Sequence, residues 1–373
     1  MAKRKLRVGV IFGGRSGEHE VSLLSANGIL AAIDKEKYEV VPIGITKAGK
    51  WLPPARAVAL LTGETPSAAQ DQESGGPGTA LVADPRARSM VTFDGATTGG
   101  DGTQLQAFDV VFPVLHGPHG EDGTVQGFLE LANIPYVGAG VLGSALGMDK
   151  VKMKEVLRYY GLPVVDWRSF RRWQWREDGQ AVLREAACFG FPCFVKPANL
   201  GSSVGITKAH DAGELPAAVE EAFRHDEKIL VEQFVDAREI EVAVLGNHHP
   251  EASVPGEIVP CNEFYDYRAK YLDGKSELHI PADLPSERAA GIRDLALRVF
   301  AALECAGLAR VDFFLERGTD QVFVNEINTL PGFTPISMYA KLWEASGVSY
   351  RQLIDRLLQL AIARWQERND GGM

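Results

Sequence analysis

The sequence lacks the signals of a disulfide-stabilised, secreted or membrane-spanning protein. Its four cysteines show no C-x-x-C spacing, and we interpret Cys188 and Cys193 as small apolar filler in a reducing compartment. The basic N-terminus runs into a short apolar strand with no signal-peptide region behind it, and no apolar run reaches the ~20 residues of a membrane span. These absences predict a cytoplasmic enzyme with no membrane partner.

An excess of basic charge is also missing. The chain has 39 Lys and Arg residues against 49 Asp and Glu residues, so the formal net charge of its 373 residues is −10. This balance argues against a nucleic-acid partner, although a local basic pocket for phosphates stays compatible with it. Trp167, Trp173 and Trp175, which alternate with arginines, are therefore interpreted as core aromatics beside surface charges. The length suggests two or three domains.

Both common nucleotide-binding motifs are absent as well. The glycines at 13, 14 and 17 do not fit G-x-G-x-x-G, and no G-x-x-x-x-G-K-[ST] loop occurs. Strands and helices nevertheless alternate here, with strands predicted at 7–12, 39–45 and 108–115, a helix capped by Ser22, and a helix at about 122–133. This alternation predicts a doubly wound parallel sheet.

Two loops of that sheet are candidate edges of a binding site, because ligands bind beyond the carboxyl ends of parallel strands. They are residues 13–22 (G-G-R-S-G-E-H-E-V-S) and 116–123 (H-G-P-H-G-E-D-G). Residues 62–104, rich in Gly, Ser, Thr, Pro and Ala, are interpreted as a surface insertion without a chemical role.

A Gly- and Ser-rich loop lies between two predicted strands in residues 191–208 (F-P-C-F-V-K-P-A-N-L-G-S-S-V-G-I-T-K). Glycines let backbone N–H groups approach an anion, Ser202 and Ser203 add donors, and Lys196 neutralises phosphate. The strand-loop-strand context favours a flap over a nucleotide, and a plain Gly-rich turn is the alternative.

Carboxylates flank a break in the next pair of predicted strands. Residues 228–245 form two apolar strands that are interrupted at Asp236, with Glu232 and Glu239 on either side. A carboxylate at such a hinge suits ribose hydroxyl groups, whereas ordinary edge-strand charge is the alternative. The preceding helix, predicted at about 144–160, carries Lys150, Lys152 and Lys154, which alone indicate a solvated face.

The most informative stretch is a predicted β-hairpin with strands at 310–316 and 321–327. Side chains alternate along a strand, so the hairpin brings Asp312, Glu326 and Asn328 to one surface. Two carboxylates and an amide suit Mg²⁺, which takes the rest of its shell from water and substrate phosphates. A solvated hairpin with outward polar residues is the alternative.

The chain resembles the ATP-grasp enzymes and, more narrowly, the D-alanine–D-alanine ligases. The resemblance rests on separated motifs in a fixed order, which are G-G-x-S-x-E-x-E-V-S, H-G-x-x-G-E-D-G, K-P-x-x-x-G-S-S-x-G, Y-D-Y-x-A-K-Y, R-x-D and N-E-x-N-T-x-P-G. It implies an α/β fold of three domains, a doubly wound parallel sheet followed by two α+β domains that sandwich ATP. The implied boundaries are 1–138, 139–234 and 235–373, and the implied assembly is a homodimer.

The resemblance also implies roles for individual residues. The ATP-binding set is Lys150, Lys196, Ser202, Ser203, Glu232, Gln233, Val235, Glu239, Phe264 and Lys270. The implied ligands of two Mg²⁺ (or Mn²⁺) ions are Asp312, Glu326 and Asn328. The residues implied for the two D-alanines are Glu18, His116, Arg310, Ser337 and Met338. Arg310 and Gly332 are implied to hold an oxyanion, and Glu18, Ser202 and Tyr271 to form a triad that closes loop 263–271.

The implied reaction is ATP-dependent ligation of two D-alanines through a D-alanyl phosphate. Relatives that make a D-alanine–D-lactate ester differ in the 263–271 loop, so Tyr271 favours the peptide product. Other carboxylate–amine ligases of the same superfamily stay open, as does a catalytically silent nucleotide-binding protein. A nicotinamide oxidoreductase is disfavoured because its dinucleotide motif is missing.

Overall fold

The computed structural model describes residues 4–63, 78–93, 104–259 and 277–370, and within these ranges the strands form four sheets. The first sheet has the order β3-β2-β1-β7, in which β1 is parallel to β2 and β7, and β3 is antiparallel to β2. Its strands are β1 (Leu6–Gly13), β2 (Tyr38–Ile45), β3 (Trp51–Leu52) and β7 (Val110–Val114). Its helices are α1 (His19–Ala32), α2 (Pro54–Thr62) and α3 (Thr124–Leu131).

Both faces of this sheet are covered, as a doubly wound sheet requires. Alternate residues of β1 enter different hydrophobic clusters, with Val10 and Phe12 in one and Ile11 in another. A strand buried on both faces needs an almost continuous apolar sequence, which residues 8–12 supply. The predicted parallel sheet is confirmed, and the predicted ends of its strands lie within two residues of the observed ends.

The predicted helix cap at Ser22 is wrong. Helix α1 begins at His19, so Ser22 lies within it and is fully buried. Its hydroxyl accepts a hydrogen bond from the backbone N–H of Gly13 at 2.7 Å and donates to the carbonyl of Val114. Ser22 therefore joins the carboxyl ends of β1 and β7, the edge where the candidate site was predicted.

The prediction of a surface insertion at 62–104 is wrong for its described strands. These are β4 (Gly78–Leu81) and β5 (Ser89–Phe93), which form an antiparallel sheet with β6 (Gln104–Ala107) at the end of the segment. Leu81 and Met90 are buried in one cluster with Ile43 of β2 and Val111 of β7. The strands of this small sheet are short and lie in a sequence rich in Gly and Ser. Composition therefore did not predict that the sheet packs on the first sheet.

The second large sheet is antiparallel, in the order β10-β9-β11-β8. Its strands are β8 (Trp167–Arg171), β9 (Cys193–Pro197), β10 (Thr207–Ala209) and β11 (Lys228–Gln233). The helices here are α4 (Val141–Met148), α5 (Lys150–Tyr159), α6 (Arg172–Ala186) and α7 (Leu215–His225). Residues 198–206, called the flap loop below, thus connect the adjacent antiparallel strands β9 and β10, as predicted.

The single helix predicted at 144–160 is wrong at Asp149. Its extended backbone (φ −82°, ψ 95°) separates α4 from α5, and its carboxylate accepts hydrogen bonds from the backbone N–H groups of Val151 and Lys152. An Asp side chain at a helix start satisfies donors that the helix leaves unpaired. As a result Lys150 is the first residue of α5 and points toward the flap loop.

The third large sheet holds the hairpin. Its order is β15-β14-β12-β16-β17, and β13 pairs with β12. The strands are β12 (Ala237–Gly246), β13 (Glu251–Ala252), β14 (Gly256–Val259), β15 (Glu277–His279), β16 (Gly307–Glu316) and β17 (Val322–Asn328). The helices are α8 (Ser286–Ala302), α9 (Met338–Ala345) and α10 (Tyr350–Asp370). Both the hairpin and the break at Asp236 between β11 and β12 are confirmed.

Single-residue predictions of burial had mixed outcomes. Trp167 is buried and Trp175 packs against a core cluster, but Trp173 is exposed, so its interpretation as core is wrong. Cys193 is buried as predicted, whereas Cys188 is exposed and fills no core. In the described ranges, no helix combines the length and apolar character that crossing a membrane demands.

Candidate active site

Two adjoining cavities bring the predicted site residues together. The first, of about 350 Å³, is lined by the predicted residues Glu18, His116, Lys150, Ser202, Arg310, Glu326, Asn328, Gly332, Ser337 and Met338. The second, of about 220 Å³, is lined by Lys150, Lys196, Ser203, Glu232, Gln233, Val235, Glu239, Asp312 and Glu326. Lys150 and Glu326 border both. Phe264, Lys270 and Tyr271 lie outside the described residues.

The hairpin presents its oxygen-bearing side chains at the junction of the two cavities. Asp312 pairs directly with Glu326 across the strands, and Arg310 pairs with Asn328. The amide of Asn328 donates to Asp312 Oδ2 at 3.0 Å, so these side chains are within reach of a common ion. Lys150 Nζ lies 3.7 Å from Glu326 Oε2.

This donor set fits a hard cation that is shared with phosphate. Within the described part of the chain, no three His, Cys, Asp or Glu side chains are arranged to hold a metal ion alone. Two carboxylates and an amide leave positions for water and phosphate oxygens, which is the coordination that Mg²⁺ prefers. The residues therefore fit Mg²⁺ bound together with a nucleotide.

Arg310 is held by carboxylates on both sides. Its guanidinium donates to both Asp312 oxygens at 2.7 Å, and its Nε lies 2.9 Å from Glu241 Oε2. Burial disfavours the cation, but Asp312 and Glu241 outweigh that cost and hold the pKa of Arg310 well above its ordinary value. A rigid fork of donors is thus fixed at the wall of the first cavity.

The flap loop is tied to the first sheet by a short contact. The Ser202 hydroxyl donates to Glu18 Oε1, and Glu18 lies just before α1. Ser202 adopts the left-handed conformation (φ 49°), which an ordinary residue occupies only when its surroundings enforce it. Gly117 has φ +75°, and an added Cβ would come within 2.6 Å of Glu18 Oε2, so another residue there would strain the backbone and displace the Glu18 carboxylate.

His116 connects the end of β7 to the segment after the hairpin. Its Nδ1 lies 3.0 Å from the Leu330 carbonyl, which can only accept, so Nδ1 carries the proton. Its Nε2 then accepts from Ser25 Oγ at 3.1 Å, and Ser25 Oγ itself accepts from the N–H of Phe333 at 3.2 Å. Burial lowers the pKa of His116, and the ring is therefore a neutral structural link at the wall of the first cavity.

A further carboxyl, that of Glu121, lies beside Glu18 in the first cavity. It accepts from the N–H of Gly117 at 2.7 Å. Burial and the neighbouring Glu18 carboxylate raise the pKa of Glu121 to about 8, so Glu121 is largely protonated at neutral pH.

A buried charge cluster borders the second cavity. Glu232 lies between two lysines, with Lys154 Nζ at 2.7 Å from Oε1 and Lys196 paired to Oε2. Burial disfavours the carboxylate, yet the two ammonium groups lower the pKa of Glu232 to about 2. Lys150 instead donates to the Leu200 carbonyl at 2.6 Å, beside the flap loop.

The far end of the first cavity is the start of α9. Ser337 precedes this helix, and its Oγ accepts from the N–H of Thr334 at 3.0 Å. The backbone N–H groups at a helix start have no partner within the helix, and they favour an anion there. Met338, the first residue of α9, has such a backbone donor and lines the first cavity together with Gly332 and Ser337.

Three titratable residues of the site could not be identified from the sequence. Glu241 is two residues from Glu239, so it shares a face of β12, and an acid within an apolar strand was its signal. Lys154 follows Lys150 by one helical turn and was assigned to a solvated face, but it is buried. Glu121 lies in the H-G-P-H-G-E-D-G loop, whose sequence predicts the edge of a site but no role for this residue.

Family models match most of the chain. The D-ala D-ala ligase N-terminus model matches residues 7–139, and the D-ala D-ala ligase C-terminus model matches residues 156–359. A D-alanine–D-alanine ligase of Natranaerobius thermophilus is 49% identical over 370 residues, which cover 98% of this chain and 97% of that protein. One of a Thermoanaerobacter species is 51% identical over 366 residues, which cover 98% of each.

Solved structures agree with these relatives. The D-alanine–D-alanine ligase from Coxiella burnetii is 37% identical, with a TM-score of 0.83, and the match covers 99% of this chain and 97% of that one. The VanG D-Ala:D-Ser ligase from Enterococcus faecalis is 34% identical, also with a TM-score of 0.83, and the match covers 96% of this chain and 100% of that one.

Proposed function

This chain belongs to the D-alanine–D-alanine ligase family, and from that premise we propose how its residues bind ATP and two D-alanines. The chain is an ATP-dependent ligase that joins two D-alanines to D-alanyl-D-alanine for peptidoglycan synthesis. The observation that carries the proposal is the hairpin, which places Arg310, Asp312, Glu326 and Asn328 where the two cavities meet.

ATP occupies the second cavity, between a central domain of residues 139–234 and a C-terminal domain of residues 235–373. Domain 1–138 closes the first cavity.

Gln233 and Val235 offer backbone groups to adenine at the hinge, and Glu239 offers its carboxylate to the ribose. Phe264 packs on the base. Lys150, Lys196, Lys270 and the flap serines bind the phosphates. Lys150, Lys196 and Ser203 support this role because they line the second cavity together with the hairpin acids.

Two Mg²⁺ or Mn²⁺ ions are held by Asp312, Glu326 and Asn328 in this proposal. When bound, the ions would supply positive charge that offsets the charge developing on the γ-phosphoryl group. The fit rests on the donor chemistry of the hairpin and on Lys150 and Arg310, which balance the same acids without the ions.

The first D-alanine lies in the first cavity, with its ammonium at Glu18 and its backbone near His116. Its carboxylate attacks the γ-phosphorus, the bond to ADP breaks, and D-alanyl phosphate forms. The second D-alanine binds with its carboxylate at Ser337 and the N–H of Met338. Its amine loses a proton and attacks the acyl carbon, and phosphate leaves from the tetrahedral intermediate. Arg310 and the N–H of Gly332 hold the oxyanion of that intermediate.

Water must be kept from the acyl phosphate, which would otherwise hydrolyse. The Ser202–Glu18 contact fastens the flap loop to the first sheet and covers the first cavity. Tyr271 completes a triad with these two residues, and Lys270 spans the γ-phosphate and the substrate carboxylate.

The chain acts as a homodimer in the cytoplasm, where ATP is available.

A coupled assay of ADP formation tests the proposal. D-alanine should support turnover with Mg²⁺ and ATP, L-alanine should not, and mass analysis should find D-alanyl-D-alanine. Adding D-lactate or D-serine with D-alanine separates the peptide ligase from its depsipeptide-forming and D-serine-using relatives. A mixed product dominated by the ester or by the serine adduct would contradict the assignment of the second substrate.

Replacing Glu121 by glutamine should change how stability depends on pH. The folded-state pKa of about 8 lies above the ordinary 4.5, so the stability that this proton contributes is present at pH 4.5 and is lost as the pH rises to 8. Glutamine cannot ionise, so the variant should not lose this stability. In thermal unfolding from pH 5 to pH 9, the midpoint of the variant relative to that of the wild type should therefore rise with pH.

Glu130 supplies a control of opposite sign. Burial opposes ionisation of its carboxyl, but Arg368 and Tyr136 outweigh it and lower the pKa of Glu130. Glu130→Gln should therefore lose stability relative to the wild type as the pH rises through the acid range. A constant difference between Glu121→Gln and the wild type across pH 5–9 would contradict a raised pKa at Glu121.

A further inference from the structure

Lys154 is buried beside the second cavity without lining it. Its side chain is 1% exposed, against 9% for Lys196 and 3% for Glu232. Of these three charges, only Lys196 and Glu232 are among the described residues that line the cavity. Lys154 is therefore closed off from a nucleotide in this arrangement, and its ion pair with Glu232 is its direct contact with the wall of the cavity.

The placement of Lys154 follows from the helix that carries it. Lys150 and Lys154 are four residues apart on α5, so they lie on one face, with Lys150 at the flap loop and Lys154 one turn deeper. The Lys154 ammonium lies 5.7 Å from the Trp167 ring centroid and 3.5 Å from the Val165 carbonyl. Burial lowers the pKa of Lys154, and such a costly position needs a compensating partner, which is Glu232.

The charges of the cluster do not cancel. Two ammonium groups share one carboxylate, so the cluster carries a net charge of +1 that faces the second cavity through Lys196. A lone Lys196–Glu232 pair would be neutral, and a phosphate that draws Lys196 away would leave Glu232 buried and unpaired. Removing one partner of a buried ion pair is strongly unfavourable. With Lys154 present, Glu232 keeps a partner at 2.7 Å whichever way Lys196 points.

We propose that Lys154 is a positioning residue for ATP binding, which neutralises Glu232 so that Lys196 is available to a nucleotide phosphate. The inference rests on the proposed placement of ATP in the second cavity. Lys196 faces the nucleotide side of the cluster, because it lines that cavity and its ammonium lies over the rings of Phe194 and Phe314, which line the same cavity, at 5.6 Å and 6.0 Å from the ring centroids.

Lys154→Met keeps the length of the side chain and removes its charge. We expect the Kd and KM for ATP to rise at least about tenfold, with kcat and the KM for D-alanine within about twofold of the wild type. Lys152→Met is the matched control, because Lys152 lies on the same helix, is half exposed and pairs with Glu155. Its KM for ATP should equal that of the wild type.

A double-mutant cycle tests whether Lys154 acts through Glu232. Whatever Glu232→Gln costs alone, adding Lys154→Met to it should change the Kd for ATP by less than about threefold, because no carboxylate is left to neutralise. A larger change in that background would overturn the inference. The Glu232→Gln variant and the Glu232→Gln/Lys154→Met double variant both lack the Lys154–Glu232 ion pair. Their Kd values for ATP can therefore be compared even where Lys154→Met alone does not fold.

Titration calorimetry of wild type with ATP separates this inference from the function on which it rests. Absence of ATP binding by the wild type would overturn the proposed nucleotide site itself. Tight binding by the wild type with an unchanged Kd in folded Lys154→Met would overturn only the role of Lys154.

Discussion

Arg310→Met is expected to lower kcat about 10²–10³-fold, the usual cost of losing one oxyanion donor. The guanidinium is the side-chain donor at the acyl carbon in the proposed reaction, and methionine offers no N–H in its place. The same change leaves the buried Asp312 and Glu241 carboxylates without their shared cation. Loss of one partner from a buried pair costs about 3–5 kcal/mol, so the thermal midpoint should fall as well.

Arg310→Lys separates the two effects. Lysine keeps the positive charge between Asp312 and Glu241 but cannot donate from a planar fork. The thermal midpoint of Arg310→Lys should lie near that of the wild type, while its kcat should stay well below the wild-type kcat. Rates are measured as D-alanine-dependent ADP formation at saturating substrates. A folded methionine variant with kcat within tenfold of the wild type would remove Arg310 from the oxyanion site.

The elements that carry the hairpin could be predicted because their sequence pattern is local. Val and Phe runs on either side of a turn specify strands, and the alternation of side chains then fixes that Asp312 and Glu326 share a surface. Gly318 (φ 85°) and Asp320 (φ 56°) occupy the left-handed turn positions that these residue types favour. Local chemistry was sufficient here, since the strand partners are adjacent in sequence.

Contacts between distant segments could not be predicted in the same way. Whether Lys154 is solvated or buried depends on Glu232, which is 78 positions away, and on the Trp167 ring beside it. Ser22 has the composition of a helix cap, but its hydroxyl joins two strands whose proximity only the assembled sheet creates. Met90 of β5 is likewise buried only because its small sheet packs on β2 and β7 of the first sheet. The composition of this segment indicated a loop instead.

Asp312→Asn should reduce D-alanine-dependent ADP formation at least about 100-fold. Loss of a residue that only orients a metal ligand costs about 10–100-fold, so loss of a proposed ligand itself should exceed that range. Asparagine keeps the shape of the side chain but is neutral, and its amide nitrogen cannot accept from Arg310 or bind a cation. The variant should also bind Mn²⁺ more weakly in the presence of a non-hydrolysable ATP analogue, which paramagnetic resonance can measure.

Asp320→Asn is the matched control for this prediction. Asp320 lies in the exposed turn of the same hairpin with φ 56°, a conformation that asparagine also tolerates, so the chemical change is identical but falls on a residue that lines neither cavity. Its activity and Mn²⁺ binding should equal those of the wild type. If Asp312→Asn keeps a near-normal rate and binds Mn²⁺ as tightly as the wild type does, then Asp312 is not a ligand.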